Sequence, residues 1–183
     1  MTARITVLVT DTSPLLTLAL GDSLDALLQL GLPIIIPDAV YTEATRIVGA
    51  PGASRIVEGL DEHLEARVVM TETGVDQLRR IEEGRSIRGM GESAVFELTK
   101  KILARDEASE VLLLFEDSDI EKTRPGLDSR IILIATGEFL HELENLGLIQ
   151  SADRILDMAA LQGRNVDKLR RMRAAERRAI RER

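Results

Sequence analysis

The chain contains no cysteine and no tryptophan. Without thiols there are no disulfide staples, no thiolate zinc fingers, no Fe–S clusters and no cysteine nucleophile. Aromatic residues make up only 2% of the sequence, too few for the stacking platforms on which OB-type and RRM-type surfaces hold single strands. Two histidines, His63 and His141, leave little material for a histidine-rich metal centre or a Ser-His-Asp triad. Neither stands near a motif, and both read as surface residues. No apolar run approaches the roughly 18 residues needed to cross a bilayer. The single arginine before the first strand-like run is followed by no cleavage pattern of a secretory signal. The expectation is a cytoplasmic protein without membrane association.

What is present fits an ordinary globular α/β chain. The 183 residues are 44% hydrophobic and 30% charged, enough to bury a real core. The total charge of −7 conceals an asymmetry. Residues 168–183 hold eight basic against two acidic side chains, a net of +6, which leaves −13 on the other 167 residues. An acidic body with a basic tail predicts a main domain over residues 1–165 and a basic helical extension over 166–183. The tail would grip phosphates or an acidic partner, or be a solvated helix.

Short, near-continuous apolar runs at residues 5–9, 32–36, 66–70, 111–115 and 131–134 read as strands, the one at 66–70 being the weakest and nearest an edge. Helical patterns separate most of them. They cover two pieces within residues 15–30, the stretch that Asp38 would cap, and residues 53–60, 73–83 and 92–104. More follow from 137 to 146, from 151 to 161 and from 166 to the end. Apolar strands alternating with helices predict a mainly parallel sheet covered on both faces, a three-layer α/β/α fold.

Four acids fall where such a fold gathers ligands. Asp11 ends the first strand, and Glu43 lies in the first turn of the helix after the second. Glu92 opens a helix behind a glycine-rich loop, and Asp117 follows the strand at 111–115, with Glu116 and Asp119 beside it. Strand ends and the starts of following helices share the carboxyl edge of a parallel sheet. Carboxylates crowded there repel and raise one another's pKa values. A hard cation, Mg²⁺ or Mn²⁺, relieves this, and such ions activate water for phosphodiester hydrolysis. Each acid also has a plainer reading. Asp11, Asp117 and Asp119 would serve as helix caps or loop residues, Glu43 as a solvated helix residue, and Glu92 as a partner of the helix dipole.

Four stretches together resemble the PIN domain family, of the kind found in the toxin half of toxin–antitoxin pairs. They are Val9-Thr10-Asp11-Thr12-Ser13-Pro14-Leu15; Ile36-Pro37-Asp38-Ala39-Val40-Tyr41-Thr42-Glu43; Gly91-Glu92-Ser93-Ala94; and Leu112-Leu113-Leu114-Phe115-Glu116-Asp117. Thr136-Gly137 and the leucines after it also fit, and the resemblance runs from Val7 to Asn165. It implies a Mg²⁺- or Mn²⁺-dependent ribonuclease acting on RNA, a homodimer, and, for a toxin, an antitoxin protein as partner. It places Asp11, Glu43, Glu92 and Asp117 in the acidic site, Ser13 as a supporting hydrogen-bonding residue and Thr136 in the same pocket. In the branch of the family it most resembles, two aspartates usually end the fourth stretch. Here the first is Glu116, and a Pro125-Gly126 turn follows, which leaves Asp117 or Asp119 as the fourth ligand, Asp117 preferred because it adjoins the strand.

The same departure, with the acidic body, sustains a second reading: a PIN-fold module that binds RNA or protein without cutting. Arg79, Arg80, Arg85 and Arg88 flank the loop before Glu92 and would contact phosphate or simply be solvated. A phosphoacceptor receiver domain expects a lysine after the last strand, where this chain has Ala135-Thr136-Gly137. A haloacid-dehalogenase-type phosphatase expects Asp-x-Asp where this chain has Asp11-Thr12-Ser13.

Overall fold

A computed structural model of the chain describes residues 5–47, 49–61, 66–116, 126–167 and 169–170. Five strands form one sheet in the order β3-β2-β1-β4-β5: β1 (Ile5–Thr10), β2 (Ile34–Pro37), β3 (Ala66–Val69), β4 (Glu110–Phe115) and β5 (Ile131–Ala135). Every pairing is parallel, with Leu8 beside Ile34, Thr10 beside Leu114, and Phe115 beside Ala135. Among the described residues β3 pairs only with β2 and is an edge, as its mixed composition predicts.

Leu8, Val9, Ile36, Leu113 and Leu114 are fully buried. Each contributes roughly 1.5–3 kcal/mol on leaving water. Helices α1 (Thr12–Leu20), α2 (Asp38–Thr45), α3 (Ala53–Asp61), α4 (Glu72–Glu82), α5 (Met90–Arg105), α6 (Thr136–Asn145) and α7 (Ala152–Leu161) flank the sheet. The fold is the expected three-layer α/β/α arrangement.

Two local details depart from the sequence reading. The second helix expected within residues 15–30 is a five-residue 3₁₀ stretch, Leu24–Leu28. Left-handed backbone at Asp22 (φ 55°) and Gly31 (φ 63°) interrupts the chain on both sides of it. Asp38 is the first residue of α2 and not its cap. Its Oδ1 accepts from the Ala39 and Thr71 N–H groups and, at 2.7 Å, from the Thr71 hydroxyl, which ties α2 to the start of α4. α4 is clamped from a second side, because Glu97 of α5 accepts from the backbone N–H of Glu72 and Thr73. Of the C-terminal extension, Val166 and Leu169 are buried, and Leu169 lies against Gly137 at the start of α6.

The strand order reverses beside β1: β2 and β3 lie on one side and β4 and β5 on the other. The carboxyl ends of β1 and β4 therefore frame the switch point, where open α/β sheets bind ligands.

Candidate active site

Asp11 leaves β1 in extended conformation (φ −89°, ψ 174°) as the N-terminal cap residue of α1. Its N–H donates to the Leu114 carbonyl at 3.2 Å, which ties the end of β1 to β4. Burial pushes the Asp11 carboxyl up to about 6. The Thr12 backbone N–H opposes that rise, and the negative charges of Glu43, Glu92 and Glu116 add to it. Three acids from three other parts of the chain are thus near enough to act on Asp11.

Glu43, the sixth residue of α2, lies in its second turn and not the expected first. Its Oε2 accepts from the Thr12 hydroxyl at 3.0 Å, and its Oε1 from the Gly91 N–H at 2.9 Å. Gln77 of α4, fully buried, reaches the same Oε1 at 3.4 Å and donates to the Ala39 carbonyl at 3.1 Å. Gly91 is required by close approach: a Cβ there would stand 2.5 Å from Glu43 Oε2 and 3.2 Å from the Thr12 hydroxyl. The next residue, Glu92, is in the first turn of α5.

On the β4 side the acid at the site among the described residues is Glu116, the residue that directly follows the strand. Glu116 is only 8% exposed. Its Oε2 is 2.8 Å from the Arg164 guanidinium, and its buried Oε1 has no hydrogen-bond partner among the described residues. Asp117 and Asp119 lie outside the described residues, as does His63.

Arg164 follows α7 and Gly163, whose left-handed backbone (φ 89°) turns the chain back toward the sheet. Its Nη2 donates to Glu116 and, at 3.2 Å, to the Ser13 carbonyl, while Nε donates to the Thr17 hydroxyl at 2.9 Å. Ser13 therefore stands at the site through its main chain. Thr136 is fully buried, its hydroxyl 3.5 Å from the Phe115 carbonyl, at the start of α6 beside the end of β4.

Sequence reasoning missed Thr12, Gln77 and Arg164. Thr12 sits inside the first motif beside Asp11, which is the only signal it carries. Gln77 and Arg164 lie outside the motifs and reach the site through the fold alone.

The arginines before Glu92 are mostly engaged. Arg79 pairs with Asp76, Arg80 pairs with Asp76 at 2.7 Å, and Arg85 pairs with Glu83 at 2.5 Å. His141 is less exposed than expected, with Nδ1 3.4 Å from Glu144 and its side chain 12% exposed. Packing between α6 and the start of α7 covers it. Two clefts flank the Asp22-Ser23-Asp25 loop, and none of the four acids lines them.

The donor set is all oxygen. Among the described residues no three acidic or histidine side chains are gathered into a ready-made metal cage. A Mg²⁺-type ion does not need one, because it is held by one or two carboxylates and completes its octahedron with water and substrate phosphate. The all-oxygen donor set and the crowding of charge on Asp11 by Glu43, Glu92 and Glu116 fit such an ion.

No curated protein and no solved structure matched the chain. A family model described as a PIN domain matches residues 7–121, more than half of the sequence, and takes in Asp11, Glu43, Glu92 and Glu116. The five-stranded parallel sheet, the acids at its carboxyl edge and this match agree: the chain belongs to the PIN domain family.

Proposed function

We propose that the protein is a metal-dependent endoribonuclease that hydrolyses RNA phosphodiesters at this carboxylate site. PIN domains are generally nucleases and typically use divalent metals. The observation that carries the reading is Asp11. It is partly buried at the switch point of the sheet, and the charges of Glu43, Glu92 and Glu116 press on it. A structural cap has no need of three acidic neighbours. The ion would be Mg²⁺ or Mn²⁺, held by Asp11 and Glu92 with Asp117 or Asp119 as the further acid. When bound, such an ion supplies charge neutralisation at the phosphate and a water of lowered pKa.

The chain's own groups do the positioning. Thr12 and Gly91 each fix one oxygen of Glu43, so this carboxylate is oriented before substrate arrives. Arg164 holds Glu116. RNA meets an acidic body, and the basic residues of 168–183 supply phosphate contacts that weaken with salt. The toxin role, with an antitoxin partner and a homodimer, belongs to the same proposal. A small antitoxin-like reading frame beside the gene supports it, and the lack of one favours a stand-alone nuclease.

The test is incubation of a mixed RNA pool with Mn²⁺ or Mg²⁺ and wild type, Asp11→Asn or Glu92→Gln. Cleavage by wild type alone supports the reading, and equal activity in all three removes it. The absence of a preformed three-acid cage among the described residues favours a second reading, a PIN-fold module that binds without cutting. Calorimetry separates the two, because a non-enzyme takes up neither ion at millimolar concentration.

A further inference from the structure

The family match ends at residue 121, yet the best-anchored cation at the site comes from residue 164. Arg164 is fastened in three directions: to Glu116 Oε2 at 2.8 Å, to the Thr17 hydroxyl at 2.9 Å and to the Ser13 carbonyl at 3.2 Å. Thr17 is fully buried, and both it and Ser13 belong to α1, the helix that starts from Asp11. The guanidinium is therefore fixed relative to Asp11 by the same helix that fixes Asp11 itself.

Glu116 is more than nine-tenths buried and offers a second oxygen that nothing described satisfies. A buried carboxylate of this kind is strongly destabilising unless a countercharge is held against it. Arg164 is that countercharge. An arginine suits the task better than a lysine, because its planar fork serves several acceptors at once and stays charged. The four described acids and this one cation leave a charge of −3 at the site, not −4.

We propose that Arg164 is a permanent, built-in cation of the acidic site, neutralising Glu116 and occupying the electrostatic place of a second divalent ion, so that the site loads one ion. The inference rests on the metal-site reading above and assigns a residue beyond the matched family region to it. Arg164 is a positioning residue: it offsets the charge of Glu116, fixes its posture, and need not touch substrate.

The test counts Mn²⁺ ions on the metal-stripped full chain by calorimetry, with electron paramagnetic resonance as the spectroscopic check. Two ions a few ångströms apart give a spin-coupled signal and a single ion does not. Wild type should bind one ion. Arg164→Gln should bind a second, spin-coupled ion and hold the first at least tenfold more tightly, the order expected when a like charge is removed from the neighbourhood of a divalent ion. Arg164→Gln leaves Glu116 buried without its partner and risks unfolding. The pair Glu116→Gln/Arg164→Gln removes both charges together and restores the net charge of the wild-type site. It should bind one ion within about threefold of wild-type affinity.

Two ions on wild type, or one ion at unchanged affinity on Arg164→Gln, would overturn the role of Arg164 while leaving the metal site standing. A tenfold or greater loss of affinity in the double variant would also overturn it, because Glu116 would then be a ligand in its own right. No Mn²⁺ on wild type would overturn the metal site and this inference with it.

Discussion

Asp11→Asn should make the protein more stable and inactive at once. In the fold, the Asp11 carboxyl is raised from 3.8 to about 6, chiefly by burial. A tenfold change in an ionisation constant corresponds to about 1.36 kcal/mol, so ionising Asp11 at pH 7 costs the metal-free fold about 3 kcal/mol. The raised value fixes the sign. Between about pH 4 and pH 6 the folded protein keeps a proton that the unfolded chain has lost, so stability from this group falls as pH rises through that window and is level above it. Asparagine has nearly the same shape, does not ionise, and offers an amide N–H to the acids around it. For a chain of this length each kcal/mol moves the melting temperature by about 2–4 °C. Asp11→Asn should therefore melt roughly 6–12 °C above wild type at pH 7 in EDTA, and the gap should shrink to a few degrees at pH 4. Differential scanning calorimetry of both proteins at both pH values makes the measurement. Adding Mn²⁺ should raise wild type far more than Asp11→Asn, because an ion that binds only the folded state stabilises it. Lower stability of Asp11→Asn at pH 7, or a gap that ignores pH, would refute the electrostatic reasoning and leave Asp11 an ordinary cap.

Gly91→Ala puts a Cβ 2.5 Å from Glu43 Oε2. It should cost about 1–3 kcal/mol in urea unfolding and lower RNA cleavage at least tenfold by turning Glu43 away from Thr12. Gly74→Ala would bring a Cβ within 2.1 Å of both Asp38 carboxylate oxygens. The clash breaks the Asp38–Thr71 link and should cost at least about 2 kcal/mol, read from the same unfolding curves. Glu97, held down to about 2 against the cost of its burial by Lys101 and by the Thr73 and Glu72 donors, caps α4 from outside. Glu97→Ala should cost about 1–2 kcal/mol at pH 7. A depressed carboxyl stabilises above its ordinary value and loses that effect as pH falls toward 2, so the difference from wild type should narrow at pH 3.

The sheet was legible because its strands are mostly apolar: the central strands β1, β2 and β4, buried on both faces, leave runs that composition alone reveals. Even the edge position of β3 followed from Arg67 and the weaker apolar run around it. That Asp11, Glu43 and Glu92 lie near one another was legible for a related reason, since strand ends and helix starts fall on one edge by topology. The details that failed were those set by contacts between distant segments. The exception is local: Glu43 is the sixth residue of α2, which puts it in the second turn and not the first. Asp38 looked like a cap, but its carboxylate is claimed by Thr71, 33 residues away. Arg164 could not be read at all, because only the fold of α7 and the turn at Gly163 bring it 48 residues back to Glu116. Glu116 had looked like a departure from the family pattern. Among the described residues it is the strand-end acid, and Arg164 holds it.

The central claim is that these carboxylates, through a divalent ion, hydrolyse RNA. Its most direct measurement is a time course on one labelled RNA with metal-stripped protein, first in EDTA and then after Mn²⁺ is added, run beside Asp11→Asn prepared identically to expose any contaminating nuclease. The account predicts no cleavage in EDTA, cleavage by wild type on adding Mn²⁺, and none by Asp11→Asn under either condition. Cleavage that persists in EDTA, or that Asp11→Asn performs as well as wild type, would contradict it.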